Sequence, residues 1–234
     1  AASNLNYVIH GLIEEFETET SVRVRLSLGS SGNFFAQIQN GAPFDVFLSA
    51  DVAYPKQLEK EGLTEPGSFF VYALGRLVVW TRNPSGFDSG ESWFEVLRNG
   101  SGRIAIANPR HAPYGRAAMT ILKKSGMWEH IADRLVFGEN VAQTAQFVQS
   151  EAAELGIIPL SLALSPPMQA TGRYWKLPPD QYPPIQQGAV ILRRARGVQR
   201  LPSAKAFTAW IQGNRGRMML TRWGFSVPPL EGMP

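Results

Sequence analysis

Gly29-Ser30-Ser31-Gly32 sets two hydroxyls between two glycines just ahead of an amphipathic run. Three other short stretches share that character: Ala2-Ser3-Asn4, Pro113-Tyr114-Gly115 and Asn140-Val141-Ala142 each lead into an expected helix. The mouth of a helix presents backbone N–H groups that lack intrahelical partners, and its dipole favours negative charge. Glycine at position 32 lets the backbone approach a bound group closely. None of the four stretches holds a lysine or arginine. If they face one cleft, the site has many donors and no cation. Such a site suits a tetrahedral dianion that is fully deprotonated at neutral pH, since each of its oxygens accepts. An anion that keeps a proton needs an acceptor too, and a buried polar group left unpaired costs about 1–3 kcal/mol. Each piece also has an ordinary explanation. Ser and Asn cap helices, worth about 1 kcal/mol with no ligand involved. Tyr114 can serve as a packed aromatic, and Val141 offers only its amide.

Other chemistries lack their parts. With no cysteine there is no disulfide, thiolate nucleophile or thiolate metal site. His10, His111 and His130 are far apart and lack metal-ligand spacing. Asp45 and Asp51 could be paired as acid and base, but strand-end aspartates commonly bond loop amides. No motif places a histidine to activate Ser31 as a nucleophile. No Gly-Lys-Ser/Thr follows the glycine turn, so it is not a phosphate-cradling P-loop. The chain is therefore expected not to be an enzyme, and to use no cofactor and no directly coordinated metal. The net charge of +4 is spread over 23 basic residues, with clusters only at Arg193-Arg194-Ala195-Arg196 and Arg215-Gly216-Arg217. These read as a solvated face, so no nucleic-acid partner is expected. No apolar run approaches the ~18 residues of a membrane span.

The 234 residues, 44% hydrophobic, can bury a substantial core. Apolar periodicity predicts helices over 5–18, 33–40, 54–61, 115–125, 141–150, 203–212 and 215–223. It predicts strands over 22–27, 44–49, 76–81, 104–107, 136–138, 155–158 and 187–192. The sequence after Trp80 reads as a Ser-, Gly- and Asn-rich loop, and 166–184 as a proline-rich irregular segment. Strands alternating with helices imply an α/β fold of two lobes, each a mixed, mostly parallel sheet flanked by helices. The crossings are placed near Trp80 and Val190, giving lobe 1 as 1–79 with 191–234 and lobe 2 as 80–190. Two crossings make a hinge, and a cleft between two lobes favours a small ligand.

At these stretches the sequence resembles a known family. Ala1-Ala2-Ser3-Asn4-Leu5, Gly29-Ser30-Ser31-Gly32 and the block from Gly41-Ala42-Pro43-Phe44-Asp45 to Ala50-Asp51 are similar to the periplasmic molybdate-binding proteins of ABC transporters. Tyr72-Ala73-Leu74-Gly75-Arg76, Ile106-Ala107-Asn108-Pro109, Ala112-Pro113-Tyr114-Gly115 and Glu139-Asn140-Val141 continue the match in order, so it covers essentially the whole chain. The resemblance implies a type II periplasmic binding protein, monomeric and extracytoplasmic, that closes on molybdate or tungstate and delivers it to a membrane permease. Carried over by position, the ligand falls to Ser3 and Ser31 from one lobe and Tyr114 and Val141 from the other. Asn4 adds its backbone amide, and the metal is bound only as the oxyanion. Two features depart from the pattern. Many members place a ligand-binding tyrosine where this chain has Pro159. The sequence also opens at Ala1 without the strand and signal segment expected ahead of it, the strand lying either outside this sequence or missing from the sheet. The rival expectations are a receptor for sulfate or phosphate, and the ligand-sensing domain of a regulator.

Overall fold

Alternation of apolar residues along the strands decides which face each one covers. The computed structural model describes residues 1–83, 85–88, 90–196 and 200–229. It divides into two units: Ala1–Gly75 with Gln186–Pro234, and Arg76–Ile185. The strands are β1 (Val46–Leu48), β2 (Phe70–Gly75), β3 (Leu77–Thr81), β4 (Ile104–Ala107), β5 (Leu135–Gly138), β6 (Leu155–Pro159), β7 (Arg173–Lys176) and β8 (Ile185–Ile191).

The first unit carries a three-stranded sheet in the order β1-β8-β2. β1 and β8 run antiparallel, with Phe47 opposite Val190 and Leu48 opposite Ala189. Successive residues point to opposite faces, so two cores form. Leu48, Ala189 and Tyr72 join Leu12 and Phe16 of the Val8–Thr20 helix and Phe207 and Ile211 of the Arg200–Gln212 helix. Phe47, Val190 and Leu192 instead meet Phe34 and Ile38 of the Ser31–Gln39 helix and Leu58 of the Ala53–Lys60 helix.

The expected strand over 22–27 takes a different form. Val22, Val24, Leu26 and Leu28 pack against the first core, and the residues between them are exposed. The segment nevertheless forms no named strand among the described residues; an isolated parallel bridge joins Gly29 to Ala2. Alternating burial reports which side faces the core, not whether a ladder partner is present.

The second unit carries a five-stranded sheet in the order β5-β4-β6-β3-β7. β4 pairs parallel with β5 and β6, while β3 pairs antiparallel with β6 and β7. The parallel half is two βαβ units: the Pro113–Lys124 helix links β4 to β5, and the Val141–Gln149 helix links β5 to β6. All four residues of β4 are buried, as expected of a central strand covered on both faces.

Three expectations are corrected here. The boundaries placed at 79/80 and 190/191 lie at 75/76 and 185/186. β2 and β3 are separated only by Arg76, so their combined apolar run hides the break. The proline-rich segment contains a helix, Pro166–Thr171, and the edge strand β7. Prolines at the first helical positions need no N–H. The presumed loop after Trp80 contains the Trp93–Asn99 helix, started by a capping box in which Ser92 Oγ accepts the Glu95 N–H and Glu95 accepts the Ser92 N–H. Ser92→Ala is expected to lower stability by about 1 kcal/mol. A denaturant titration with an unchanged midpoint would contradict that role for the cap.

Candidate functional site

In the first unit, backbone bonds bring the turns bearing Ser3 and Ser31 together. The Ala2 N–H donates to Leu48 O at 2.9 Å and the Ser3 N–H to Gly29 O at 2.9 Å. Ser3, Asn4 and Leu5 form a short 3-10 turn and all three are buried. The Ser3 amide is thus committed, and its side chain is what it can offer a ligand. Asn4 Nδ2 donates to Gln187 Oε1 at 2.8 Å.

Ser30 and Ser31 divide the work that the sequence left shared between them. Ser30 is the N-cap of the Ser31–Gln39 helix, its Oγ accepting the Asn33 N–H at 3.2 Å. Ser31 is the first helical residue and only 1% exposed; its Oγ accepts the Ala50 N–H at 2.8 Å. A hydroxyl that accepts from an amide keeps its own proton to donate. Ser31 is therefore poised as a donor held in place by Ala50.

In the second unit, Tyr114 and Val141 also stand on adjoining turns. Asn108 N–H donates to Gly138 O at 2.8 Å, and the His111 Nε2–Glu139 O separation is 2.8 Å. A carbonyl only accepts, so His111 carries the proton on Nε2 in this bond. Tyr114 follows Pro113 at the start of the Pro113–Lys124 helix and is 2% exposed. That helix mouth lies hard against β4, since a Cβ on Gly115 would fall 2.1 Å from Ala107 O. Val141 opens the Val141–Gln149 helix, whose N-cap Asn140 accepts the N–H groups of Ala142 and Gln143 at 2.9 and 3.1 Å. The cap takes the second and third amides of the helix and leaves the first, that of Val141, outside it. Pro159, the departure from the resemblance, ends β6 and precedes the short Leu160–Ala163 helix. It supplies neither hydroxyl nor N–H to a ligand.

The remaining candidates have local duties. Asp51 accepts the Tyr54 N–H at 3.1 Å, and Asp45 lies 3.6 Å from Arg200. Among the described residues, no group of three His, Cys, Asp or Glu side chains is placed to hold a metal ion. No helix among them is long and apolar enough to cross a membrane. What the chemistry amounts to is two sets of uncharged donors, one on each unit.

The profile of a family described as bacterial extracellular solute-binding proteins matches residues 1–226. The chain belongs to that family. Among curated relatives of this solute-binding protein is the molybdate-binding protein ModA of Azotobacter vinelandii, 38% identical over 226 residues that cover 97% of this chain and 88% of the relative. ModA of Rhodobacter capsulatus is 35% identical, covering 90% of this chain and 80% of its own. The solved periplasmic molybdate-binding protein of Azotobacter vinelandii superposes with a TM-score of 0.90 at 34% identity, covering 97% of both chains. The solute-binding protein thus has the expected α/β fold with two sheets, but the sheets are not mostly parallel. β1–β8, β3–β6 and β3–β7 pair antiparallel, whereas parallel pairing joins β4 to β5 and β6.

Sequence reasoning missed Gln187 and Tyr72. Tyr72 Oη lies 2.9 Å from both Gln187 Oε1 and Ser49 O, so a buried polar network joins β2, β8, the end of β1 and the Ser3–Leu5 turn. The signal was there to read. Ile185, Gln187 and Ala189 share one face of β8, and a glutamine on a core face asks for a partner.

Proposed function

We propose that this solute-binding protein captures molybdate, and tungstate about as well, outside the cytoplasm and delivers it to the membrane permease of an ABC transporter. The observation that carries the reading is the hydroxyl of Ser31, which accepts the Ala50 amide and keeps its own proton to donate to a ligand. A fully deprotonated tetrahedral anion matches a site of hydroxyl and amide donors drawn from Ser3, Asn4, Ser31, Tyr114 and Val141. The metal enters as the centre of the oxyanion, held through Ser3, Ser31, Tyr114 and Val141. The protein binds and releases rather than transforms, acts as a monomer and needs no cofactor.

A panel of anions in a thermal-shift assay tests this. At 100 times its dissociation constant a ligand adds about 2.7 kcal/mol of stability. Molybdate and tungstate are expected to raise the melting temperature together, while sulfate and phosphate leave it unchanged. A shift with sulfate or phosphate and none with molybdate would replace the reading with that of another oxyanion receptor. Val141→Ala retains the amide and is expected to hold molybdate affinity within about twofold in a calorimetric titration. A larger loss would show that the side chain, not the N–H, is what the site uses.

A further inference from the structure

We infer that Gln187 is a positioning residue for the anion site, holding the Ser3–Asn4 turn in its ligand-binding orientation through the Asn4 side chain. The inference rests on the proposed anion-binding function. The turn has little to define it internally. It is a three-residue 3-10 helix, and Ala2 at its N-cap supplies no side-chain bond. On one side, the amides of Ala2 and Ser3 tie it to Leu48 and Gly29. On the other, the bond from Asn4 Nδ2 to Gln187 Oε1, 2.8 Å long and buried, ties it to β8 across 183 residues of sequence.

Gln187 is 0% exposed, and its partner Tyr72 and Ala189 on the same face of β8 belong to a buried apolar cluster with Leu5 and Leu48. An apolar side chain would fill such a place at no polar cost. The carboxamide makes sense there only through what it holds. Its Oε1 accepts the Asn4 Nδ2–H and lies 2.9 Å from Tyr72 Oη, whose single proton is shared between Oε1 and Ser49 O, also 2.9 Å away. The acceptor is thus itself fixed, so it can fix Asn4. Gln187 is also the second residue after the chain re-enters this unit. The turn that carries Ser3 and Asn4 is therefore registered against the start of the returning segment.

Calorimetric titration with sodium molybdate, paired with thermal melts of the ligand-free protein, tests the inference. Gln187→Met keeps the volume and removes the acceptor, while Gln187→Asn keeps a carboxamide but withdraws it from Asn4. Each is expected to weaken molybdate binding by about tenfold or more with a cooperative melt retained. Tyr72→Phe, which keeps the Asn4–Gln187 bond but removes one of the groups that hold Gln187 Oε1, is expected to weaken binding less than either Gln187 variant does. A purely structural role predicts the opposite split, with lower melting temperatures and unchanged affinity. If either folded Gln187 variant binds molybdate within about twofold of the parent, the inference is overturned while the functional reading stands. If the parent itself fails to bind molybdate, both fall.

Discussion

Gly115→Ala is expected to cost about 3 kcal/mol of stability and to abolish measurable molybdate binding. The added methyl would sit 2.1 Å from Ala107 O, 2.8 Å from Ala107 C and 3.0 Å from Pro109 N. All three are backbone atoms, so no rotamer change relieves the overlap. The mouth of the Pro113–Lys124 helix must back away from β4, and Tyr114, its second residue, moves with it. A shift of the helix mouth by even a fraction of an ångström spoils a hydrogen bond whose useful range is narrow. Denaturant titration and molybdate calorimetry read the two effects separately. Parental stability and affinity in the variant would mean that the contact with β4 does not define the site.

Ser31→Ala is expected to weaken molybdate binding by about 2–3 kcal/mol, roughly 30- to 150-fold, because the lost bond is to a charged acceptor. It should also cost about 1–2 kcal/mol of stability without ligand, since the buried Ala50 N–H loses its acceptor. The pairing of effects is the signature. Ser30→Ala, by contrast, removes a cap and is expected to lower stability by about 1 kcal/mol with a smaller change in affinity. A Ser31→Ala protein that melts lower yet binds molybdate as the parent does would confine Ser31 to holding Ala50.

The parts of the site legible in the sequence were those encoded within a few residues. A cap and the first turn it serves are neighbours, so Ser30-Ser31-Gly32 and Asn140-Val141-Ala142 announce themselves, and the βαβ rhythm from β4 to β6 follows from the alternation of periods. What stayed hidden depends on pairs brought together by folding. Nothing local links Asn4 to Gln187, 183 residues away, or the His111 ring to Glu139, 28 residues on. The exposed–buried rhythm of 22–28 was readable, but its missing ladder was not, because pairing is a property of two segments. The Trp93–Asn99 helix was a different kind of miss. Its Ser92-Trp93-Phe94-Glu95 capping box was plain in the sequence, masked by the polar, glycine-rich residues before it.

The claim beneath all of this is that uncharged hydroxyls and amides replace the hydration of a proton-free dianion. Crystallography of the molybdate complex, with anomalous data at the molybdenum edge, addresses it most directly. The expected result is one heavy tetrahedral centre whose oxygens receive bonds from the Ser3 and Ser31 hydroxyls and from the amides of Asn4, Tyr114 and Val141. A lysine or arginine bonded to the anion, or a molybdenum peak remote from Ser31, would contradict the account.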